Sequence, residues 1–210
     1  MRRYSQLDLT NLDGLPSDLR AVAVVQQAIA GQVIFQQGEA AASFFIVRNG
    51  RVKLERYTDE GRMVTLQVAR PGEGVGVVAL MSDTYSSAAI AEVSSQLIRY
   101  PKTALINALP IYPALAETLL IMLLQIIHSL EIRLELRDIR ASQQRVLRYL
   151  RYQTQDREQS IITFDRPLKE IATDLGFTPE TLSRALTRLE QAGLISRQDR
   201  QITLHPSSTA

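Results

Sequence analysis

The sequence contains no cysteine and only two histidines among its 210 residues. The absence of thiols excludes disulfides, thiolate zinc sites, cysteine-ligated iron–sulfur clusters and cysteine nucleophiles, and it fits a reducing, cytoplasmic setting. His128 and His205 are far apart, and we find no glycine-rich phosphate loop or metal-ligand motif. These absences argue against an enzyme.

Long apolar runs are also scarce. The N-terminus is broken by Asp8, Asp13 and Pro16 and does not resemble a signal peptide. The most apolar run, residues 111–127, is interrupted by Pro113 and is shorter than the ~20 residues that a membrane span needs. We therefore expect a buried helix here and no membrane partner.

What the sequence does have is the composition of a folded protein, with 45% hydrophobic residues, 22% charged residues and ten glycines. Its length favours two domains. The net charge is +2, and the excess lies in residues 142–210, which hold ten Arg and Lys against eight Asp and Glu. This small excess mildly favours nucleic acid as the partner.

Residues 32–101 carry a pattern of short strands separated by turns. Asn49-Gly50 is typical of a tight hairpin turn, because both residues tolerate positive φ. Strands at such regular spacing favour a β-sandwich, roll or barrel, which we assign to residues 1–108.

Between residues 109 and 138 the hydrophobic period becomes helical. One stripe alternates spacings of four and three, as in the seam of a two-stranded coiled coil. It consists of Ala116, Leu120, Leu123, Ile127, Leu130 and Leu134. A second stripe covers another face and consists of Leu115, Leu119, Met122 and Ile126. Two apolar faces need two surfaces, so we expect one to pack on the β-domain and the other on a second copy of the chain. The alternative is a central helix inside a monomer.

Residues 139–210 have the element order of a winged helix-turn-helix. Helices are predicted from about Ser142, over residues 168–175 and over residues 179–192, followed by a hairpin around Asp199. Such a domain places its second helix in the major groove of DNA.

The turn before this recognition helix carries the most specific signals. Gly176 allows a sharp turn, Thr178 is expected to cap the helix, and Pro179 suits its first position because a missing N–H costs nothing there. The outward residues of the first turns are the candidates for base contacts. Together with Thr178 they are Glu180, Ser183, Arg184 and Thr187.

The chemistry of these side chains suits base edges. Arginine can donate two bonds to guanine, glutamate can accept from cytosine, and serine or threonine can adapt to several bases. The alternative is that Glu180 and Arg184, four residues apart, form a surface ion pair worth a few tenths of a kcal/mol. Arg188, Arg197 and Arg200 are candidate phosphate contacts, with solvated surface arginines as the alternative.

On these residues the chain resembles the CRP/FNR family of bacterial transcription regulators. GQVIFQQGE and FFIVRNGRVKL resemble the start of the family's cyclic-nucleotide-binding-like β-roll, and Glu180-Thr-Leu-Ser183-Arg184 is similar to the E-x-x-S-R signature of the FNR branch. The resemblance implies an α+β fold with an N-terminal β-roll, a long dimerisation helix and a C-terminal winged helix-turn-helix. It also implies a homodimer on double-stranded DNA with TTGAT-like palindromic half-sites, and RNA polymerase as a protein partner.

The chain departs from the family's cyclic-AMP-binding members in the effector pocket. Val77 stands where those members have a glutamate for the ribose, and Ser86 or Ser87 stands where they have an arginine for the cyclic phosphate. A buried phosphate without its cation is costly, so we expect an effector other than cyclic AMP. The candidate pocket residues are Val75, Val77, Val78, Leu80, Met81, Ser86 and Ser87.

The identity of the effector stays open. Residues 145–150 and 179–194 also look like the DNR-type regulators of denitrification, a resemblance that implies haem and nitric oxide. His128 is then the candidate axial ligand, and an ordinary satisfied or exposed imidazole is the alternative. A second class of function also stays open, in which the β-roll is a regulatory module that acts on a protein partner.

Overall fold

The computed structural model describes residues 7–154, 160–164 and 167–205. The chain divides into two compact units, Met1–Gln125 and Ile126–Ala210, which we call the β-unit and the helix-turn-helix unit. The division falls inside one long helix, and each unit is described by itself.

The strands of the β-unit are β1 Val24–Ala28, β2 Val33–Phe35, β3 Ser43–Asn49, β4 Val52–Tyr57, β5 Met63–Ala69, β6 Gly74–Val75, β7 Ala88–Ala91 and β8 Ser95–Pro101. They form two four-stranded antiparallel sheets, with strand orders β1-β8-β3-β6 and β2-β7-β4-β5. The α-helices of the chain up to residue 138 are α1 Ser17–Val22, α2 Lys102–Ala108 and α3 Pro113–Asp138. Two 3-10 turns cover Leu12–Gly14 and Val77–Met81.

The interior of the β-unit is filled by residues from both sheets. Phe45 and Val47 of β3 face Val52 of β4 across a cluster of buried side chains. The ring of Phe35 stacks on that of Tyr85 with centroids 3.7 Å apart, and the Tyr85 hydroxyl donates to the carbonyl oxygen of Ser43 at 2.6 Å. The stack is thus fixed at its polar end as well as by packing.

Two boundaries in this unit differ from the sequence prediction. Strand β1 lies before residue 32, where the sequence predicts the first strand. The sequence does not indicate β1 because this edge strand leaves both Val24 and Val25 exposed and so lacks an alternating pattern. The helix expected from residue 109 begins at Pro113, after the separate helix α2. Proline lacks an N–H and is favoured at a first helical position, so it starts α3 rather than interrupting it.

The helix-turn-helix unit contains the end of α3, three further helices and a three-stranded antiparallel sheet of order β10-β11-β9. These elements are α4 Ser142–Thr154, β9 Ile161–Thr163, α5 Leu168–Asp174, α6 Pro179–Gln191, β10 Ile195–Gln198 and β11 Gln201–Leu204. We call the β10–β11 hairpin the wing. The α+β architecture predicted from the sequence is confirmed, although strand β9 was not predicted, because three residues are too few to show a period.

Helix α3 has the two apolar faces that the sequence predicts. Leu115, Leu119 and Met122 are buried in the β-unit, where the Thr118 hydroxyl accepts a bond from the Leu7 N–H at 2.9 Å. The other face, which we call the seam, is 40–65% exposed in the single chain. The seam consists of Leu120, Leu123, Ile127, Leu130 and Leu134. By length and composition alone α3 is also apolar enough to cross a membrane, a property it shares with core helices of soluble proteins.

Candidate nucleic-acid interface

The turn between α5 and α6 is closed by hydrogen bonds that fix its geometry. The N–H of Phe177 donates to the carbonyl oxygen of Ala172 at 2.8 Å, and the N–H of Gly176 donates to that of Thr173 at 3.0 Å. Gly176 has φ +70°. This pair of bonds around a left-handed glycine is a Schellman motif, which satisfies the last carbonyls of α5 and turns the chain sharply into α6.

Helix α6 begins as its sequence predicts. The Thr178 hydroxyl accepts the N–H of Thr181 at 3.3 Å, and Pro179 occupies the first turn. One face of the helix is sealed against α4 and α5 by four nearly inaccessible side chains. They are Leu182, Ala185, Leu186 and Leu189. The opposite face is therefore held outward by a well-packed core.

The outward face carries most of the residues expected to read DNA. Glu180, Ser183, Arg184 and Arg188 are exposed, and Thr187 is half-buried. Glu180 and Arg184 do not form the simple ion pair. The Arg184 guanidinium instead donates to the carbonyl oxygen of Glu180 and the hydroxyl of Thr181, both at 3.4 Å. These long bonds leave the guanidinium accessible at the surface.

The carboxylate of Glu180 lies at the positive end of α6. Hydrogen bonds from its own backbone N–H and from the Thr178 hydroxyl hold the pKa of Glu180 below its ordinary value. The group is therefore ionised at neutral pH and acts only as an acceptor, which matches the exposed amino group of cytosine.

The wing contributes two further arginines that behave differently from one another. The Arg197 guanidinium bonds to the Glu190 carboxylate at 2.6 Å and to the Thr187 hydroxyl at 3.3 Å. Arg200 is exposed in the hairpin turn, after Asp199 with φ +52°. The structure thus joins Arg197 to α6, whereas Arg200 faces solvent.

Three contributors to this surface were missed in the sequence. Glu190 positions Arg197, the Thr181 hydroxyl contacts Arg184, and Arg145 of α4 bonds to the C-terminal end of α5. The contacts of Glu190 and Arg145 depend on the tertiary fold, whereas the spacing of three between Thr181 and Arg184 was a usable signal in the sequence.

The structure divides the candidate effector residues in the β-unit. Val75, Val77 and Leu80 are buried, whereas Val78 and Met81 are 68% and 79% exposed. The 3-10 turn explains the division, because residues three apart share a face in such a turn.

The two serines at the cyclic-phosphate position also differ. Ser87 is buried, whereas Ser86 is exposed and its carbonyl oxygen accepts a bond from Arg56 Nε at 2.8 Å. The adjacent interior is occupied by the Phe35–Tyr85 stack, and a Cβ on Gly76 would lie 3.3 Å from the Tyr85 ring. The aromatic stack therefore fills the space beside Gly76, among the described residues.

Among the described residues, neither histidine belongs to a group of three or more side chains that could hold a metal ion. His128 is exposed on α3, with Nδ1 3.6 Å from the Glu131 carboxylate. His205 is exposed after β11. Both imidazoles are therefore accessible to solvent in the single chain.

Comparisons with known proteins divide the chain in the same way as the fold. A model of the cyclic nucleotide-binding domain matches residues 25–111, and a model of the Crp-like helix-turn-helix domain matches residues 144–206. The first match ends before α3 begins, and the second begins within α4 and includes the wing.

Similar proteins span most of the chain. Transcriptional activator protein anr of Pseudomonas aeruginosa is 26% identical over 177 residues, covering 82% of this chain and 72% of that protein. The structure of FixK2 from Bradyrhizobium japonicum has a TM-score of 0.71 and 23% identity, covering 88% of this chain and 93% of that one, which supports the fold alone. Lysophospholipase NTE1 of Chaetomium globosum is 32% identical over only 84 residues, 40% of this chain and 6% of that protein. An enzyme is thus matched only through its nucleotide-binding-like domain.

Proposed function

Because the chain belongs to the CRP/FNR family of transcription regulators, we propose that it acts as a homodimer that reads palindromic DNA with TTGAT-like half-sites. Each recognition helix α6 enters the major groove of one half-site. Such a regulator works in the cytoplasm, and RNA polymerase is its proposed protein partner.

The observation that carries this proposal is the geometry of α6. Its start is capped by Thr178, its inner face is packed, and its first turns present Glu180, Ser183 and Arg184 to solvent. Arg184 has the reach and the two-pronged donor geometry to bond guanine O6 and N7. Arg188 and Arg200 are assigned to phosphates, where positive charge positions the protein without reading sequence.

The seam of α3 supports the dimer. Its five side chains are large and apolar, and their spacing of three and four residues keeps them on one stripe along the helix. A second copy with the same seam buries both stripes at once, as a two-fold interface requires. We assign this face to dimerisation rather than to a membrane.

We further propose that cyclic AMP is not the effector. Val77 and Ser87 carry no charge, and the Arg56 guanidinium beside them is already bonded to the Ser86 carbonyl oxygen. The Phe35–Tyr85 stack occupies the adjacent interior. We also propose that haem is not bound through His128, whose imidazole is exposed in the single chain and lies 3.6 Å from the Glu131 carboxylate. An absorption spectrum of the protein with added haem should then show no shifted Soret band.

A gel-shift titration tests the DNA-binding proposal. The duplexes are a palindrome of two TTGAT-type half-sites and a scrambled duplex of equal length. Arg184→Ala should cost about 1 to 3 kcal/mol on the palindrome and little on the scrambled duplex, because a base contact carries sequence information. Arg62→Ala, which removes an exposed arginine of the β-unit, is the matched control and should bind both like wild type. The proposal is refuted if wild type binds the two duplexes with equal affinity, or if Arg184→Ala binds the palindrome as tightly as wild type does.

A further inference from the structure

The side chain of Arg145 on α4 contacts the ends of two other helices. Its Nε donates to the carbonyl oxygen of Ile139, just after α3, at 2.8 Å, and its Nη2 lies 3.4 Å from that of Arg137 in the last turn of α3. On its other side, Nη1 donates to the carbonyl oxygen of Leu175, where α5 ends, at 3.0 Å. One guanidinium therefore bridges α3 and α5.

The same guanidinium also lies over the helix-turn-helix turn. Its central carbon is 4.7 Å from the centre of the Phe177 ring, and Nη1 is 3.8 Å from the place a Cβ on Gly176 would take. Phe177 directly precedes the cap residue Thr178. Arg145 thus contacts the turn that sets the direction of α6.

The contacts of Arg145 stabilise backbone groups at the ends of helices. The last carbonyls of a helix lack partners within it and carry partial negative charge, so a cation that donates several bonds stabilises them. Only arginine combines a planar fork of donors with a face that stacks on an aromatic ring. A lysine would keep the charge and lose the bridge.

We propose that Arg145 is a positioning residue that fixes the recognition helix relative to the end of the dimerisation helix. This inference rests on the proposed function as a DNA-binding dimer. In that dimer, the DNA-binding elements of each chain follow the end of the shared helix α3. The Arg145 bridge therefore sets the spacing between the two recognition helices and hence the preferred spacing between half-sites.

The test is a set of palindromes whose half-site spacing differs by single base pairs around the optimum. Wild type should show a sharp optimum. Arg145→Lys should bind the optimal site about tenfold more weakly, the effect of losing a charge-assisted hydrogen bond, and should distinguish neighbouring spacings less well. Its fold and dimeric state, followed by circular dichroism and sedimentation, should match wild type. Arg140→Lys, at an exposed arginine five residues earlier, is the matched control and should keep the sharp optimum.

Salt dependence separates positioning from direct DNA contact. The slope of log affinity against log salt should be unchanged in Arg145→Gln, which removes the charge, because no phosphate contact is lost. If Arg145→Lys does not fold, Phe177→Leu carries the test, since it removes the ring under the guanidinium, and it should flatten the spacing profile in the same direction.

Three results would overturn the inference. The first is that Arg145→Lys shows the same dependence on half-site spacing as wild type. If Arg145→Lys does not fold, the same result in Phe177→Leu counts against the inference. The second is a uniform loss at all spacings with a smaller salt slope in Arg145→Gln, which would make Arg145 a phosphate contact. The third is a wild-type protein that binds none of the palindromes, which would refute the proposed function itself and is seen before any variant is compared.

Discussion

The guanidinium of Arg197 on β10 holds the carboxylate of Glu190 on α6, with Nη2 2.6 Å and Nε 2.9 Å from Oε2. The backbone N–H of Arg197 donates to the other oxygen, Oε1, at 3.1 Å. Three charge-assisted bonds from one residue tie the first strand of the wing to the last turn of the recognition helix. The position of the wing is therefore set by α6.

Replacing Glu190 with glutamine should loosen the wing without unfolding the domain. The amide keeps the shape of the side chain and loses the charge that strengthens the bonds from Arg197. We expect the backbone amide of Arg197 to exchange with solvent faster than in wild type, measured by hydrogen–deuterium exchange, while that of buried Leu186 keeps its rate. Glu60→Gln, at the exposed pair with Arg62, is the control. Unchanged exchange at Arg197 would contradict this role of Glu190.

The same contact predicts a pH dependence. The hydrogen bond from Arg197 holds the pKa of Glu190 below its ordinary value of 4.5. A lowered carboxyl pKa gives stability that is present above the ordinary value and is lost as pH falls through the lowered one. An NMR titration of the Glu190 side chain should therefore give a midpoint below 4.5, and Arg197→Ala should raise it. A wild-type midpoint at the ordinary value would show that the pair does not persist in solution.

The cap of the recognition helix should be measurable as stability. Thr178→Ala removes the acceptor of the Thr181 N–H and should cost about 1 kcal/mol in denaturant unfolding of the helix-turn-helix unit. Thr178→Ser keeps a hydroxyl and should recover most of the loss. The hypothesis fails if serine and alanine are equally destabilising, because the hydroxyl would then contribute nothing.

A charge in the middle of the seam should separate the proposed dimer. Ile127 is 51% exposed in the single chain and is central among the five seam residues. Ile127→Glu places two like charges against each other across a two-fold interface, so sedimentation should show a monomer. Gln125→Glu makes a similar charge change at an exposed position of α3 outside the seam and should leave the dimer intact. A dimer that survives Ile127→Glu would assign another surface to self-association.

The parts of the site that the sequence predicted are those with local causes. Gly176, Thr178 and Pro179 act within a few residues of themselves, so the turn and the start of α6 could be read directly. The two faces of α3 follow from hydrophobic period alone, and the burial of Leu115 and the exposure of Leu120 match it.

The missed parts depend on tertiary contacts or on a period that the sequence did not reveal. Arg145 meets Leu175 thirty residues away, and that pairing exists only once α4 and α5 have packed together. The resemblance places the effector residues along one stretch of sequence and gives no sign of which of them face inward, whereas the 3-10 turn buries Val77 and exposes Val78. Short strands such as β9 carry too few residues for any pattern.

In the proposed dimer, the five seam side chains that are 40–65% exposed in the single chain make the DNA-binding form depend on the concentration of the chain. In the proposed arrangement only the pair engages a palindrome, and well below the dissociation constant of the pair the amount of dimer rises with the square of the amount of monomer. Operator occupancy then responds steeply to synthesis and degradation of the chain. The amount of the chain in the cell then controls operator occupancy without a small-molecule effector.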